Sequence, residues 1–402
     1  MLSFQAALAI IQQKLLESKT DPPFEILRLD RAHGRVLAED ILADRDYPPF
    51  HRSTRDGFAV RSADVARFPA ILTCRGEIRA GEPSTAIVGP GECLAIMTGA
   101  PLPTGADAVV MLEHVAADGD RVKVERPVAP CENVVRRGSE APSGTHVLSR
   151  GRRLGAGEIG LLASVGKAQV RVFLPPQVAI LTTGDEVVPI DSQPEWFQIR
   201  NSNDFALAAQ VADAGGIPHR LPVAPDEKHA LRRLIEEGLE SDLLLLSGGA
   251  SKGKFDYVRQ VLEELDTEIS VQGVAIRPGK PLVFGQAKGK PLFGLPGNPV
   301  STFVTFEIFV RPAIGRLAGA GFEEPIFLRA RLAESFKQRL GLTAFMPARV
   351  EARGGEPFVS LVSWQGSGDL VGIAGANCFL VIRPEQVELA AGDWVDVLPR
   401  RN

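Results

Sequence analysis

The sequence predicts a multidomain α/β plus β chain: a central doubly wound α/β domain, a β-rich N-terminal half and a small C-terminal β-barrel. Three observations predict it. Between residues 177 and 325 apolar strands alternate with helical patterns, as in parallel strands joined by helices. Before that stretch the apolar segments are short and punctuated by Gly and Pro. After it helical periodicity stops and only extended segments remain. At about 100–200 residues per domain, 402 residues make room for several cores.

In order, Leu8, Ile11 and Leu15 recur at helical spacing, so the chain opens with an amphipathic packing helix. A loop at Asp21-Pro22-Pro23 and a short extended region lead to a break at Tyr47-Pro48-Pro49. Strands are expected at Ala70–Cys74, Cys93–Met97, Ala108–Leu112 and Arg121–Val124. A short helix around Glu158–Val165 and a strand at Val170–Phe173 precede a second break at Pro175-Pro176. Strands follow at Val178–Thr182, Ile217–Val223, Leu243–Leu246, Val271–Ile276, Leu282–Phe284 and Leu292–Phe293. Helices at Phe205–Ala214, His229–Leu239, Tyr257–Leu265 and Pro299 to about Leu317 alternate with them. The wholly apolar Leu243–Leu246 reads as a buried central parallel strand. The tail offers strands at Phe327–Leu332, Ala344–Ala352, Val359–Val362, Cys378–Ile382 and Trp394–Leu398. The expected domains are 1–46 with 139–176 (helical and extended), 47–138 inserted in it (β-rich), 177–325 (α/β) and 326–402 (β-barrel).

Composition excludes several classes. Apolar residues at 45% and charged residues at 23% are those of a globular chain rather than a disordered one. A net charge of −4 supplies no global field for nucleic acid, so no nucleic-acid partner is expected. No apolar run approaches the roughly 18 residues of a membrane span, and Met1 to Leu16 lacks the basic start of a signal peptide. The expectation is a cytoplasmic protein with no membrane partner. The four cysteines, Cys74, Cys93, Cys131 and Cys378, form no CxxC pair, and the six histidines show no HxH or HExxH spacing. They read as scattered thiols in a reducing compartment. No GxSxG motif supports a serine nucleophile.

Ligands of open parallel sheets bind beyond the carboxyl ends of the strands. Three glycine-marked turns fall at such ends: Thr183-Gly184-Asp185-Glu186, Ser247-Gly248-Gly249-Ala250-Ser251 leading to Asp256, and Gly294-Leu295-Pro296-Gly297-Asn298-Pro299. Glycines let main-chain N–H groups approach a ligand. Asn298 is placed to cap the helix that Pro299 opens, whose free N–H groups suit a phosphate. None of the turns matches GxxxxGK[ST] or GxGxxG, which disfavours an ordinary ATPase or dehydrogenase. Asp185, Glu186 and Asp256 beside a phosphate suggest a bridging divalent cation, commonly Mg2+. Arg277-Pro278-Gly279-Lys280-Pro281 sets two cations around a rigid turn, which suits an oxyanion. Upstream, the polar stretches Ser53–Ala59, Thr98–Asp107 and Asn133–Gly138, with Arg136 and Arg137, are weak signals singly.

Together, Ser53–Ala59, Thr98–Val110, Glu132–Gly138, Thr183–Glu186, Asn201-Ser202-Asn203, Ser247–Asp256, Pro278–Pro281 and Gly294–Ser301 occur in the order of one family. The chain resembles the molybdopterin molybdenumtransferases, the MoeA and gephyrin E-domain family, over essentially its full length. The resemblance makes the central domain molybdopterin-binding-like. It implies a homodimer of four-domain subunits that completes molybdenum cofactor synthesis. Adenylylated molybdopterin and molybdate are then the substrates, and Mg2+ assists release of AMP. It also implies exchange with a molybdopterin adenylyltransferase and with molybdoenzyme apoproteins.

By motif, the resemblance makes Asp56 and Thr98 cleft residues supplied by the partner subunit, with Arg136 or Arg137 nearby. Glu186, Asp226 and Asp256 correspond to the acidic site residues, and Asp185, Glu186 and Asp256 to the metal's surroundings. Ser247, Gly248, Gly249, Pro296, Gly297 and Asn298 fall on the substrate-binding turns. Arg277, Lys280 and Ser301 resemble the molybdate and phosphate contacts, and Arg349 matches a basic residue facing them. Two departures stand out. Arg277 occupies a position where the family often has Lys, which keeps the charge and changes its geometry. Gly372 stands where a serine is common, which removes a hydroxyl donor. The alternatives are a molybdopterin adenylyltransferase, whose domain 177–325 alone resembles, a tungstate-preferring paralogue, and a scaffold. The adenylyltransferases lack the Ser53–Ala59 segment and the tail.

Overall fold

A computed structural model describes residues 1–17, 21–81, 85–248, 255–337 and 341–400, with the main chain alone at 255–256. The chain gathers into two compact units, residues 39–150 with 156–169, and the remainder.

The larger unit is built on a six-stranded sheet in the order Ile217–Arg220, Gln177–Thr182, Leu243–Ser247, Lys290–Leu295, Val283–Ala287, Glu268–Gln272. The first four strands are parallel and the last two antiparallel. Strand period decides what covers each face. Val178, Ile180, Leu243 and Leu245 point to one side, with Leu207 and Val211 of helix Ser202–Asp213, Val300 and Val304 of helix Pro299–Thr305, and Ile11 of helix Phe4–Glu17. Ala179, Leu181, Leu244 and Leu246 point to the other, against Leu231, Leu234 and Ile235 of helix Lys228–Gly238 and Val261 of helix Phe255–Glu264. This is the predicted doubly wound layering, and it explains why Leu243–Leu246 carries no polar residue. Chain order reverses between Gln177–Thr182 and Leu243–Ser247, so a switch point opens at their carboxyl ends.

The predicted long helix from Pro299 to Leu317 is continuous, but Phe306–Val310 winds as a π-helix. Pro312 lies just beyond; it has no N–H to give the carbonyl of Ile308, and its ring would strike that carbonyl in a regular α-turn. Buried Glu307 sits in the wide turn, bonded by Arg311 (2.7 and 3.0 Å) and by Gln210 Nε2 (2.7 Å).

In the tail, Thr343–Arg353, Glu356–Leu361, Leu328–Leu332, Trp394–Pro399 and Cys378–Ile382 pair in a closed ring, because Thr343–Arg353 also pairs with Cys378–Ile382. Closure removes free edges, and the small Ala330, Ala344, Ala348 and Cys378 fit the narrow interior. Ile276–Arg277 adds to the ring as a parallel strand, with Arg277 opposite Ala344. The expectation that helices stop after Pro325 is corrected by the short helix Leu370–Gly375. Asp369 starts it, its carboxylate accepting from the N–H of Gly372 at 3.0 Å.

The smaller unit holds a six-stranded sheet in the order Ala108–Met111, Gly57–Val60, Glu92–Ile96, Ala70–Ile78, Arg121–Val124, Val115–Asp118. The four predicted strands are present. Gly57–Val60, read only as part of a polar turn, is a buried inner strand. Its first residue must be glycine: a β-carbon at Gly57 would lie 1.9 Å from the carbonyl oxygen of Val110.

Candidate active site

The three glycine-marked turns of the α/β sheet meet at the switch point. They enclose a cleft of about 450 Å³ lined by Thr182, Thr183, Glu186, Arg200, Asn203, Ser247, Gly248, Pro296, Gly297 and Asn298, among others. Asn203 ties two of the turns together, Nδ2 donating to Ser247 Oγ (3.0 Å) and to the carbonyl of Gly297 (2.7 Å). Helix capping places it there: Asn201 begins the helix, accepting from the N–H of Asp204. Gly248 has φ +103°, and a β-carbon there would lie 2.5 Å from the carbonyl of Thr183, so only glycine lets the turns close. Thr182 and Thr183 are each 4% exposed, and neither hydroxyl has a partner among the described residues. Buried hydroxyls without protein partners are completed by ordered water, an ion or a ligand, and these two line the cleft.

Glu186 is on the cleft wall. Asp185 and Asp226 do not line it, and Asp185 Oδ1 accepts the N–H of Asp226 at 3.0 Å. Asn298 departs from expectation. It occupies the capping position with Pro299 first in the helix, but its side chain makes no cap. Nδ2 instead donates to Ser367 Oγ at 2.9 Å, reaching toward the barrel segment. Gly249, and the side chain of Asp256, lie outside the described residues.

Pro281 is shared with a neighbouring pocket of about 540 Å³, lined by Arg277, Pro278, Gly279, Lys280, Ser301, Leu342, Met346, Trp364 and Ser367. Among the described residues no carboxylate lines it, and neither Arg277 nor Lys280 has a side-chain partner there. Two cations thus line one pocket. Arg349 stands apart from its lining, on strand Thr343–Arg353, with its guanidinium bonded to Glu351 at 2.9 Å.

In the smaller unit, Thr98 donates its N–H and its hydroxyl to Asp56, holding that carboxyl below the usual carboxylate range. Arg137 is engaged by Asp46 (2.7 Å), while the guanidinium of Arg136 donates to the sulfur of Cys131 (3.3 Å). The sequence reading named Thr183 as the start of its first turn and did not single out Thr182, Arg200, Ser367 or Trp364. The threonines were legible as the end of an apolar strand entering a glycine turn; Ser367 and Trp364 reach the site only through the barrel's fold.

Comparison with known proteins follows the same lines. Residues 2–166 match the MoeA N-terminal region (domain I and II), 179–316 a family described as "Probable molybdopterin binding domain", and 329–399 the MoeA C-terminal region (domain IV). A molybdopterin molybdenumtransferase of Staphylococcus aureus is 33% identical over 395 residues, covering 96% of this chain and 93% of the relative. One from Staphylococcus epidermidis is 34% identical over 92% of this chain and 90% of its own. A crystal structure of the molybdopterin biosynthesis moeA protein from Pyrococcus horikoshii OT3 covers all of both chains with TM-score 0.82 and 29% identity.

Proposed function

Since the chain belongs to the MoeA family and acts in molybdenum cofactor biosynthesis, we propose that it inserts molybdenum from molybdate into adenylylated molybdopterin and releases AMP. The observation that carries this reading is the pocket of Arg277 and Lys280 adjoining the switch-point cleft: two cations without carboxylate partners match a tetrahedral dianion beside a phosphate-bearing ligand.

In this reading Arg277, Lys280 and Ser301 hold molybdate. Ser247, Gly248, Gly249, Pro296, Gly297 and Asn298 cradle the pterin-linked nucleotide, and the hydroxyls of Thr182 and Thr183 gain their missing partners from it. Hydrolysis of a phosphoanhydride needs charge neutralisation and an oriented water rather than a covalent nucleophile. Glu186, with Asp226 and Asp256, orients that water. Asp185, Glu186 and Asp256 are hard oxygen donors that fit Mg2+. Mg2+ takes few protein carboxylates and completes its shell with water and substrate phosphates. When bound, Mg2+ neutralises phosphate charge.

Asp56, Thr98 and Arg136 or Arg137 belong to the site through a second copy of the chain, so the working form is a homodimer in the cytoplasm. Arg349 joins only when its pairing with Glu351 opens. The division into 1–46 with 139–176, 47–138, 177–325 and 326–402 is part of the proposal; its breaks near 177 and 326 are supported by the family matches ending at 166 and 316 and resuming at 179 and 329. The test is AMP release from adenylylated molybdopterin with Mg2+ present, expected only when molybdate is added. A protein that holds the nucleotide and never releases AMP refutes the reading, and adenylylation of molybdopterin by ATP would move the chain to the preceding step.

A further inference from the structure

The pocket at Arg277 and Lys280 has two unlike kinds of lining. Some is polar: the two cations, Ser301 and Ser367. Some is apolar: Ile276, Leu342, Met346 and, largest of all, Trp364. Trp364 is half-buried at the margin of the main core. Its seat depends on Gly372, where a β-carbon would lie 2.7 Å from the β-carbon of Trp364 and 3.4 Å from Asp369 Oδ2. The main chain there is fixed from both sides. Asp369 accepts the N–H of Gln365, next to the tryptophan, at 2.8 Å and the N–H of Gly372 at 3.0 Å. A side chain at Gly372 therefore meets the rigid root of Trp364, not a flexible tip. Glycine at 372 and tryptophan at 364 are one device.

We propose that Trp364, seated by Gly372, sets the anion selectivity of this pocket in favour of large, weakly hydrated tetrahedral dianions such as molybdate over compact, strongly hydrated ones such as sulfate. The inference rests on reading the pocket as the oxyanion seat and names the residue that decides among oxyanions. Arg277 and Lys280 attract any dianion alike. The difference lies in the water each anion must leave behind. The face of an indole, unlike its Nε1–H edge, returns no hydrogen bonds to oxygens packed against it, so burial against that face costs most for the anion of highest charge density. A hydroxyl or water in the same place would compensate sulfate and erase the distinction.

The experiment is equilibrium dialysis of the full-length protein against radiolabelled molybdate, with sulfate as competitor. The wild-type chain is expected to prefer molybdate by at least about tenfold. Trp364→Phe keeps most of that preference, and Trp364→Ala lowers it about tenfold. Gly372→Ser lowers it similarly, because its β-carbon displaces the indole and its hydroxyl adds a donor that compensates sulfate. Lys280→Ala weakens both anions and leaves their ratio in place. If Trp364→Ala or Gly372→Ser, with an unchanged thermal melt, binds with the wild-type ratio, the role of Trp364 is overturned while the pocket reading survives. If the wild-type chain binds no molybdate, or Lys280→Ala binds it as the wild type does, the pocket reading itself falls.

Discussion

Thr98 gives both its backbone N–H, at 2.7 Å, and its hydroxyl, at 3.0 Å, to a single oxygen of Asp56, Oδ1. The backbone bond, then the hydroxyl, holds the Asp56 carboxyl below its ordinary 3.8, so it stays ionised into acid. A carboxyl lowered on folding lends stability above its unfolded value, and that stability is lost as pH falls through the lower folded value. An NMR titration of Asp56 should therefore show a depressed midpoint that moves up in Thr98→Val, only partly, because the backbone donor remains. Asp56→Asn should keep the fold and slow AMP release by about a hundredfold in single-turnover assays.

Asn203 spans two turns with one amide group. Asn203→Ala takes the donor from the fully buried hydroxyl of Ser247 and from the carbonyl of the exposed Gly297, and the buried loss should cost about 1–3 kcal/mol in urea unfolding. The same variant should weaken nucleotide binding, since the cleft loses the tie between its walls; isothermal calorimetry with AMP reads this.

Glu307 and Arg311 are a buried pair, with side chains 7% and 11% exposed. Arg311→Leu strands a carboxylate beside Gln210 and should cost about 3–5 kcal/mol, whereas the double change to Glu307→Leu and Arg311→Leu should recover most of it. Chemical denaturation of the four proteins closes the cycle.

The cysteines offer a check without substrates. Burial pushes the Cys93 thiol up to about 12 and the Cys378 thiol up to about 11, while Cys74 and Cys131 are half-exposed. A disulfide reagent near about pH 8 needs an accessible thiolate. It should titrate Cys74 and Cys131 in the folded chain and all four in denaturant. Rapid reaction of Cys93 would contradict the packing of the smaller unit.

Periodicity made the α/β core legible: four leucines in a row read as a strand covered on both faces, and most neighbouring elements lie near their apolar spacing, but the strand expected at Val271–Ile276 runs Glu268–Gln272 and Ile276 joins the barrel instead, because its partner there is Thr343–Arg353, far away in sequence. Gly57 was harder, because its requirement comes from the Val110 carbonyl on another strand. The helix at Leu370–Gly375 was missed because its start is one aspartate in a stretch too short for periodicity to register. Asn298 had the right position for a cap, yet its amide bonds to Ser367, which no local rule anticipates. Trp364 belongs to the same class: nothing near it in the sequence refers to Arg277, and only closure of the barrel brings the two to one pocket.

The two-residue strand at Ile276–Arg277 welds the barrel to the sheet domain, and this governs how the protein can be re-engineered. A chimera that grafts the tail of a relative onto this chain would exchange Leu342, Met346, Trp364 and Ser367 while retaining Arg277 and Lys280, so it would inherit a seam through the middle of an anion seat. Residues 276–281 must travel with 342–372 for such a hybrid to keep either parent's discrimination.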